Sequence, residues 1–158
     1  MSSAGIDKLQ KSLEEYEKWL NRKTQELVKR LADEGVEAAR FTFDIAVYDG
    51  KKDVKVYAEP RDGNVVAVVA VGSSVLFLEF GAGYLLGYGH PEPMEYGPGT
   101  YPGKGHWDDP NGWYLPKEVQ EEVGHERSIG NPPSAAMYNA LKELEDRIQE
   151  IASEVFAT

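Results

Sequence analysis

The chain has 158 residues, of which 41% are hydrophobic and 28% charged, with no cysteine and a formal net charge of −10. The missing thiols exclude disulfides, thiolate metal sites and thiol catalysis, and the acidic balance opposes any grip on nucleic-acid phosphates. That length suits one domain built on one core. No apolar run reaches the ~18 residues needed to span a bilayer, and the start, MSSAGIDKLQ, lacks the apolar stretch of a signal peptide. The expectation is a protein made in the cytoplasm with no membrane partner. Charge is unevenly placed: residues 5–34 carry seven basic and seven acidic side chains, whereas residues 83–133 carry three and eight.

In chain order, Ile6, Leu9, Leu13, Tyr16, Leu20, Leu27 and Leu31 fall mostly three and four apart, so residues 5–35 read as a long amphipathic helix. Gly35 is a natural C-terminal stop, and Lys29 and Arg30 suit the negative end of the helix dipole. The stripe lapses at Lys23 and Thr24, which argues against a sustained coiled coil and for packing over a sheet. Residues 41–80 read as a four-stranded antiparallel meander. Phe41, Phe43, Ile45 and Val47 alternate with polar or small residues; Val54, Val56 and Ala58 do the same after the Asp49-Gly50 turn. Pro60 should end pairing, and Asp62-Gly63-Asn64 turns the chain. Val65–Val71 is continuously apolar and reads as a central strand covered on both faces. Val75–Phe80 supplies the last strand, and the short turns require antiparallel neighbours.

Residues 83–133 hold ten of the sixteen glycines, eight of the nine prolines and seven aromatic rings. Proline at this density forbids a long helix or a central strand, so the segment reads as an extended loop insertion with a hairpin near Asn111-Gly112. Residues 134–157 form the last helix, capped by Ser134, with Met137, Leu141, Leu144, Ile148, Ile151 and Val155 on one face. The resulting class is α+β: long N-terminal helix, four-stranded meander, long Gly/Pro/aromatic loop, C-terminal amphipathic helix.

Chemistry is harder to find. His90, His106 and His125 share the loop with Asp108, Asp109 and Glu126, but they sit singly, without the one-turn spacing of a helical metal site. No nucleophile elbow is present, and Gly81-Ala82-Gly83 lacks the lysine and helix of a phosphate cradle. No catalytic, metal or cofactor residue is assigned. Glu79, between Leu78 and Phe80, is a carboxylate in apolar surroundings that needs donors such as loop amides or Arg127; with Gly81 it reads as the anchor shaping the root of the loop. Tyr101, Trp107, Trp113 and Tyr114 are the candidate interface rings, because tyrosine and tryptophan give large rigid contact area at little entropic cost. The same rings could stack on sugars, or fold back as a satellite core. A glycan-binding module and, behind it, a loop-borne metal hydrolase on the three histidines are the alternatives.

The long first helix ending in Leu31-Ala32-Asp33-Glu34-Gly35, the segment Phe77-Leu78-Glu79-Phe80-Gly81, and Asn131-Pro132-Pro133 leading to Met137-Tyr138-Asn139-Ala140 together resemble the neck and tail-completion components of long-tailed bacteriophages, the minor tail or head–tail joining proteins. The insert Gly97-Pro98-Gly99-Thr100-Tyr101-Pro102-Gly103, with Asp109-Pro110-Asn111-Gly112-Trp113-Tyr114, is similar to that of relatives in phages and prophages of Gram-positive bacteria. The resemblance implies a non-enzymatic virion part that self-associates into a ring in the neck. It would contact head-closure or connector ring proteins on one side and tail tube or terminator proteins on the other. An acidic surface would then let DNA pass without adhering.

Overall fold

The computed structural model describes residues 3–92 and 111–157. Helix α1 (Ser3–Ile45) is followed by an antiparallel hairpin, β1 (Lys55–Arg61) and β2 (Val65–Val71), and by the short helix α2 (Val75–Phe80). A 3-10 turn at Gly83–Leu85 precedes the two-residue strands β3 (Trp113–Tyr114) and β4 (Arg127–Ser128), which flank helix α3 (Lys117–Val123). Helix α4 (Ala136–Ala157) completes the described chain. The class is thus mixed helix and sheet, and the described residues form two separate two-stranded sheets in place of the expected four-stranded meander. Among the described residues no helix is long and apolar enough to cross a membrane.

The first correction is Gly35, which does not end a helix. A Cβ there would lie 2.9 Å from Leu144 Cδ1 and 3.2 Å from Val68 Cγ2. The glycine therefore serves close packing, letting α4 and β2 approach the α1 backbone, and the helix runs on for ten residues. The predicted strand at Phe41–Val47 is mostly the last turns of α1. Its apparent alternation is incidental: Phe43 is 2% exposed, whereas Phe41 and Ile45 are 64% and 65% exposed. The operative period is helical, with Ala32, Gly35, Ala39 and Phe43 buried on one side.

Val65–Val71 is likewise not a central strand. Among the described residues it pairs only with β1, from Lys55 opposite Val71 to Arg61 opposite Val65, around the turn at residues 62–64. Pro60 sits inside β1, opposite Val66, instead of ending it; a two-stranded sheet has only edges, where proline is tolerated. One face of the hairpin lies on α1, and Val56, Val68 and Ala70 join the core formed by Ala39, Phe43, Leu78, Ala136 and Ala140.

Val75–Phe80 is a short helix, not a strand, and the turn that leads into it is held from a distance. The Asp53 carboxylate accepts hydrogen bonds from the Ser73 and Ser74 amides at 2.8 and 2.9 Å, and from both hydroxyls at 2.8 and 2.6 Å. Its own amide donates to Ser74 Oγ at 3.1 Å. Chiefly through the Ser74 hydroxyl and the two amides, this cage holds the Asp53 carboxyl well below the usual carboxylate range.

Helices α1 and α4 pack antiparallel. Arg30 pairs with Glu154, Arg147 Nη1 lies 2.8 Å from Glu34, and the Trp19 ring meets Phe156 edge-on at 5.8 Å. At 1.5 Å per residue α1 is about 65 Å long and α4 about 33 Å, so α1 overshoots its partner. The stripe's lapse at Lys23 falls where α4 begins to cover it, and Lys23 is buried there.

Two stability outcomes follow from these contacts. Valine is a better helix former than glycine, so any loss in Gly35→Val reports on packing. Urea denaturation should show a loss of about 1–3 kcal/mol, part of it recovered when Leu144→Ala is added. Asp53→Asn should lower the melting temperature at neutral pH. Because the folded carboxyl binds its proton less tightly than an ordinary aspartate, its contribution is complete above the ordinary value of ~3.9 and fades as pH falls toward the folded value. The gap between wild type and variant, followed by thermal melts, should therefore hold from neutrality down to about pH 4–5 and close below that.

Candidate interaction site

The segment after α2 is held by a complete exchange of backbone groups. The last turn of a helix leaves carbonyls without partners, and all four here are used: Phe77 O accepts from Asn131 Nδ2 (2.8 Å), Leu78 O from Ser134 N (2.8 Å), Glu79 O from Ala135 N (3.0 Å) and Phe80 O from Gly87 N (2.7 Å). The Glu79 side chain, 6% exposed, turns to the opposite problem at the start of α4. Its Oε2 and Oε1 accept from the Met137 and Tyr138 amides at 2.9 and 3.2 Å. A carboxylate at a helix N-terminus also meets the positive end of the dipole. Ser134, the expected cap, has no hydrogen bond at its hydroxyl among the described residues. The donors to Glu79 are thus α4 amides, not amides of the 83–133 segment or Arg127, whose guanidinium lies 4.9 Å over the Tyr114 ring.

Gly81 and Gly83 hold the start of that segment close to its end. Both have positive φ (81° and 64°). A Cβ at Gly81 would meet Asn131 O at 2.8 Å, and one at Gly83 would meet Trp113 Cη2 at 2.5 Å. The Ala82 and Tyr84 amides donate to Asn131 O and Ile129 O, both at 2.9 Å, forming a short ladder. Trp113, half-buried over Gly83, is thereby a brace of this framework, and Tyr114, 69% exposed, is its outward ring. Tyr84 (58%), Tyr88 (79%) and Ile129 (44%) are exposed on the same framework. Tyr101 and Trp107, the other two candidate rings, lie outside the described residues, as do His106, Asp108 and Asp109.

The expected plain loop is partly ordered into β3, α3 and β4. Trp113 pairs with Ser128 and Tyr114 with Arg127, so this strand has a partner across α3; the residues with which a hairpin at Asn111-Gly112 would pair lie outside the described residues. Ser128 Oγ donates to Asp49 Oδ2, and His125 Nε2 lies 3.2 Å from Asp49 Oδ1 while its Nδ1 faces Arg127 O at 2.8 Å. Asp49, read in the sequence only as a turn residue, thus ties this sheet to the end of α1.

His90 is placed elsewhere. Its Nδ1 accepts from the Glu92 amide at 2.9 Å, which puts the proton of the neutral ring on Nε2, 3.6 Å from Glu79 Oε1. Phe80 and Tyr138 flank the ring at 4.7 and 5.9 Å. This pair lies at the base of a cavity of about 510 Å³ between β2 and α4, whose walls include Val66, Val68, Met137, Leu141 and Leu144. His90 and His125 are held by different neighbours, and among the described residues no three potential ligands gather to hold a metal ion. Both Glu79 oxygens accept from α4 amides, and His90 Nε2 stands beside one of them.

Neither a protein-family model, nor a curated protein, nor a solved structure matches this chain.

Removing the Glu79 carboxylate should strand two amides at the start of α4. Glu79→Leu is expected to cost about 2–4 kcal/mol in urea unfolding, and Glu79→Gln, which keeps one good acceptor, roughly half as much. Equal losses for the two would show that the amides find other partners.

Proposed function

We propose that this chain is a structural assembly protein of a phage head–tail connector or tail terminus, working by docking and not by catalysis. The observation that carries this reading is the exposure of Tyr84, Tyr88 and Tyr114 on a framework braced by glycines and Trp113. Rings held on a rigid base suit recognition of a protein surface, since little side-chain entropy remains to be lost on binding. The likeness of the Phe77–Gly81, Asn131–Ala140 and insert motifs to neck and tail-completion components supports the same role. In it the protein forms a ring in the virion, between head-closure or connector proteins and tail tube or terminator proteins.

The test separates docking from folding. Tyr114→Ala and Tyr84→Ala remove exposed rings and should shift stability by no more than about 0.5 kcal/mol, read by thermal melts. Truncated interface anchors cost about 2 kcal/mol of binding or more, so a phage or prophage carrying the double variant should yield unjoined heads and tails by electron microscopy. Normal particles from a double variant with an intact melt would overturn the assignment of these rings.

A further inference from the structure

The first turns of α1 stand clear of everything else in the described chain. Residues 5–18 are exposed at every position, and five of the apolar side chains on that arm and its base fall at Ile6, Leu9, Leu13, Tyr16 and Leu20, between 40% and 59% exposed. Their spacing of three, four, three and four is the a/d seam of a heptad. The next seam position is Lys23, which is buried, and at Trp19 the contact with Phe156 begins. The uncovered stripe therefore ends where α4 takes over. Among the described residues of one chain nothing covers it.

We infer that the arm pairs with the same arm of a second copy of this chain, as a short antiparallel coiled coil. Three observations favour that occupant over another molecule. First, the seam is self-complementary: a heptad stripe of leucine, isoleucine and tyrosine fits a copy of itself by knobs into holes. Second, charge does not oppose the pairing here. Residues 5–34 balance seven basic against seven acidic side chains, and the whole net charge of −10 lies beyond them. Antiparallel arms keep the two acidic bodies at opposite ends. The positions flanking the seam add no like-charge conflict, since Gln10, Ser12, Trp19 and Thr24 are neutral and Glu17 faces Gln10 of the other copy when Leu13 lies opposite Tyr16. Third, burying the five side chains and adjoining stems of both copies removes roughly 1,200 Å² of surface, the lower bound for a specific interface. The helix needs no separate nucleation, because its second half is already fixed against α4. This inference does not depend on the connector reading.

Sedimentation equilibrium on the full chain tests it. The wild type should be a dimer with a dissociation constant on the order of 10 μM or tighter. Leu9→Glu with Leu13→Glu should weaken association by roughly 100-fold or more while leaving the melt of the body unchanged. The chain has no cysteine, so Gln25→Cys gives a single spin-label site, and label separations beyond about 30 Å are expected for antiparallel arms against about 20 Å for parallel ones. A monomeric wild type at high micromolar concentration would overturn the inference. So would dissociation by Leu141→Arg in the cavity wall but not by the arm variant, or a short label distance.

Discussion

Two helix ends with opposite deficits meet at α2, and the fold depends on their cancelling. The end of α2 offers carbonyls with no helical partner, and the start of α4 offers amides with none; burying either alone would be costly. Glu79 serves both. Its backbone oxygen accepts from Ala135 while its side chain accepts from Met137 and Tyr138. The residues between, Asn131 to Ser134, fill the remaining places. Because Leu78 and Ala136 on either side of this junction are fully buried in the core with Phe43, polar satisfaction and packing fix the same geometry.

Much of this architecture was legible from the chain, but only where the signal was local. The apolar stripes from Ile6 to Leu31 and from Met137 to Val155 placed the two long helices, and Asp62-Gly63-Asn64 placed the one tight turn of the hairpin. Misreadings arose where one residue type serves two physical purposes. Glycine both ends helices and admits close neighbours, and at Gly35 the second use prevails because Leu144 and Val68 come from far along the chain. A short, mostly apolar run such as Val75–Phe80 fits a strand or a helix equally. The turn into it is held by Asp53, more than twenty positions earlier, which no local pattern announces.

The candidate site was legible in kind and not in arrangement. A lone carboxylate among apolar residues had to find donors, and Glu79 finds two, yet nothing near it in sequence identifies the start of α4 as their source. Among the rings, composition gave no way to separate a brace from a contact. Trp113 is turned inward by the bare backbone of Gly83, and its neighbour Tyr114 is turned outward by the alternation of a strand. The cavity beside His90 had no sequence signal, since it is walled by β2 and α4 together.

The cage around Asp53 has an architectural corollary. Because the chain enters the hairpin at residue 53 and leaves it at residues 73 and 74, the two ribbon ends are stitched together at the root. The ribbon is thus fixed at its root and along α1, and its exposed tip can grow or shrink without disturbing the helices. Extra residues spliced between Arg61 and Val65 would alter reach alone, making that tip the natural place for such a protein to change length over evolutionary time.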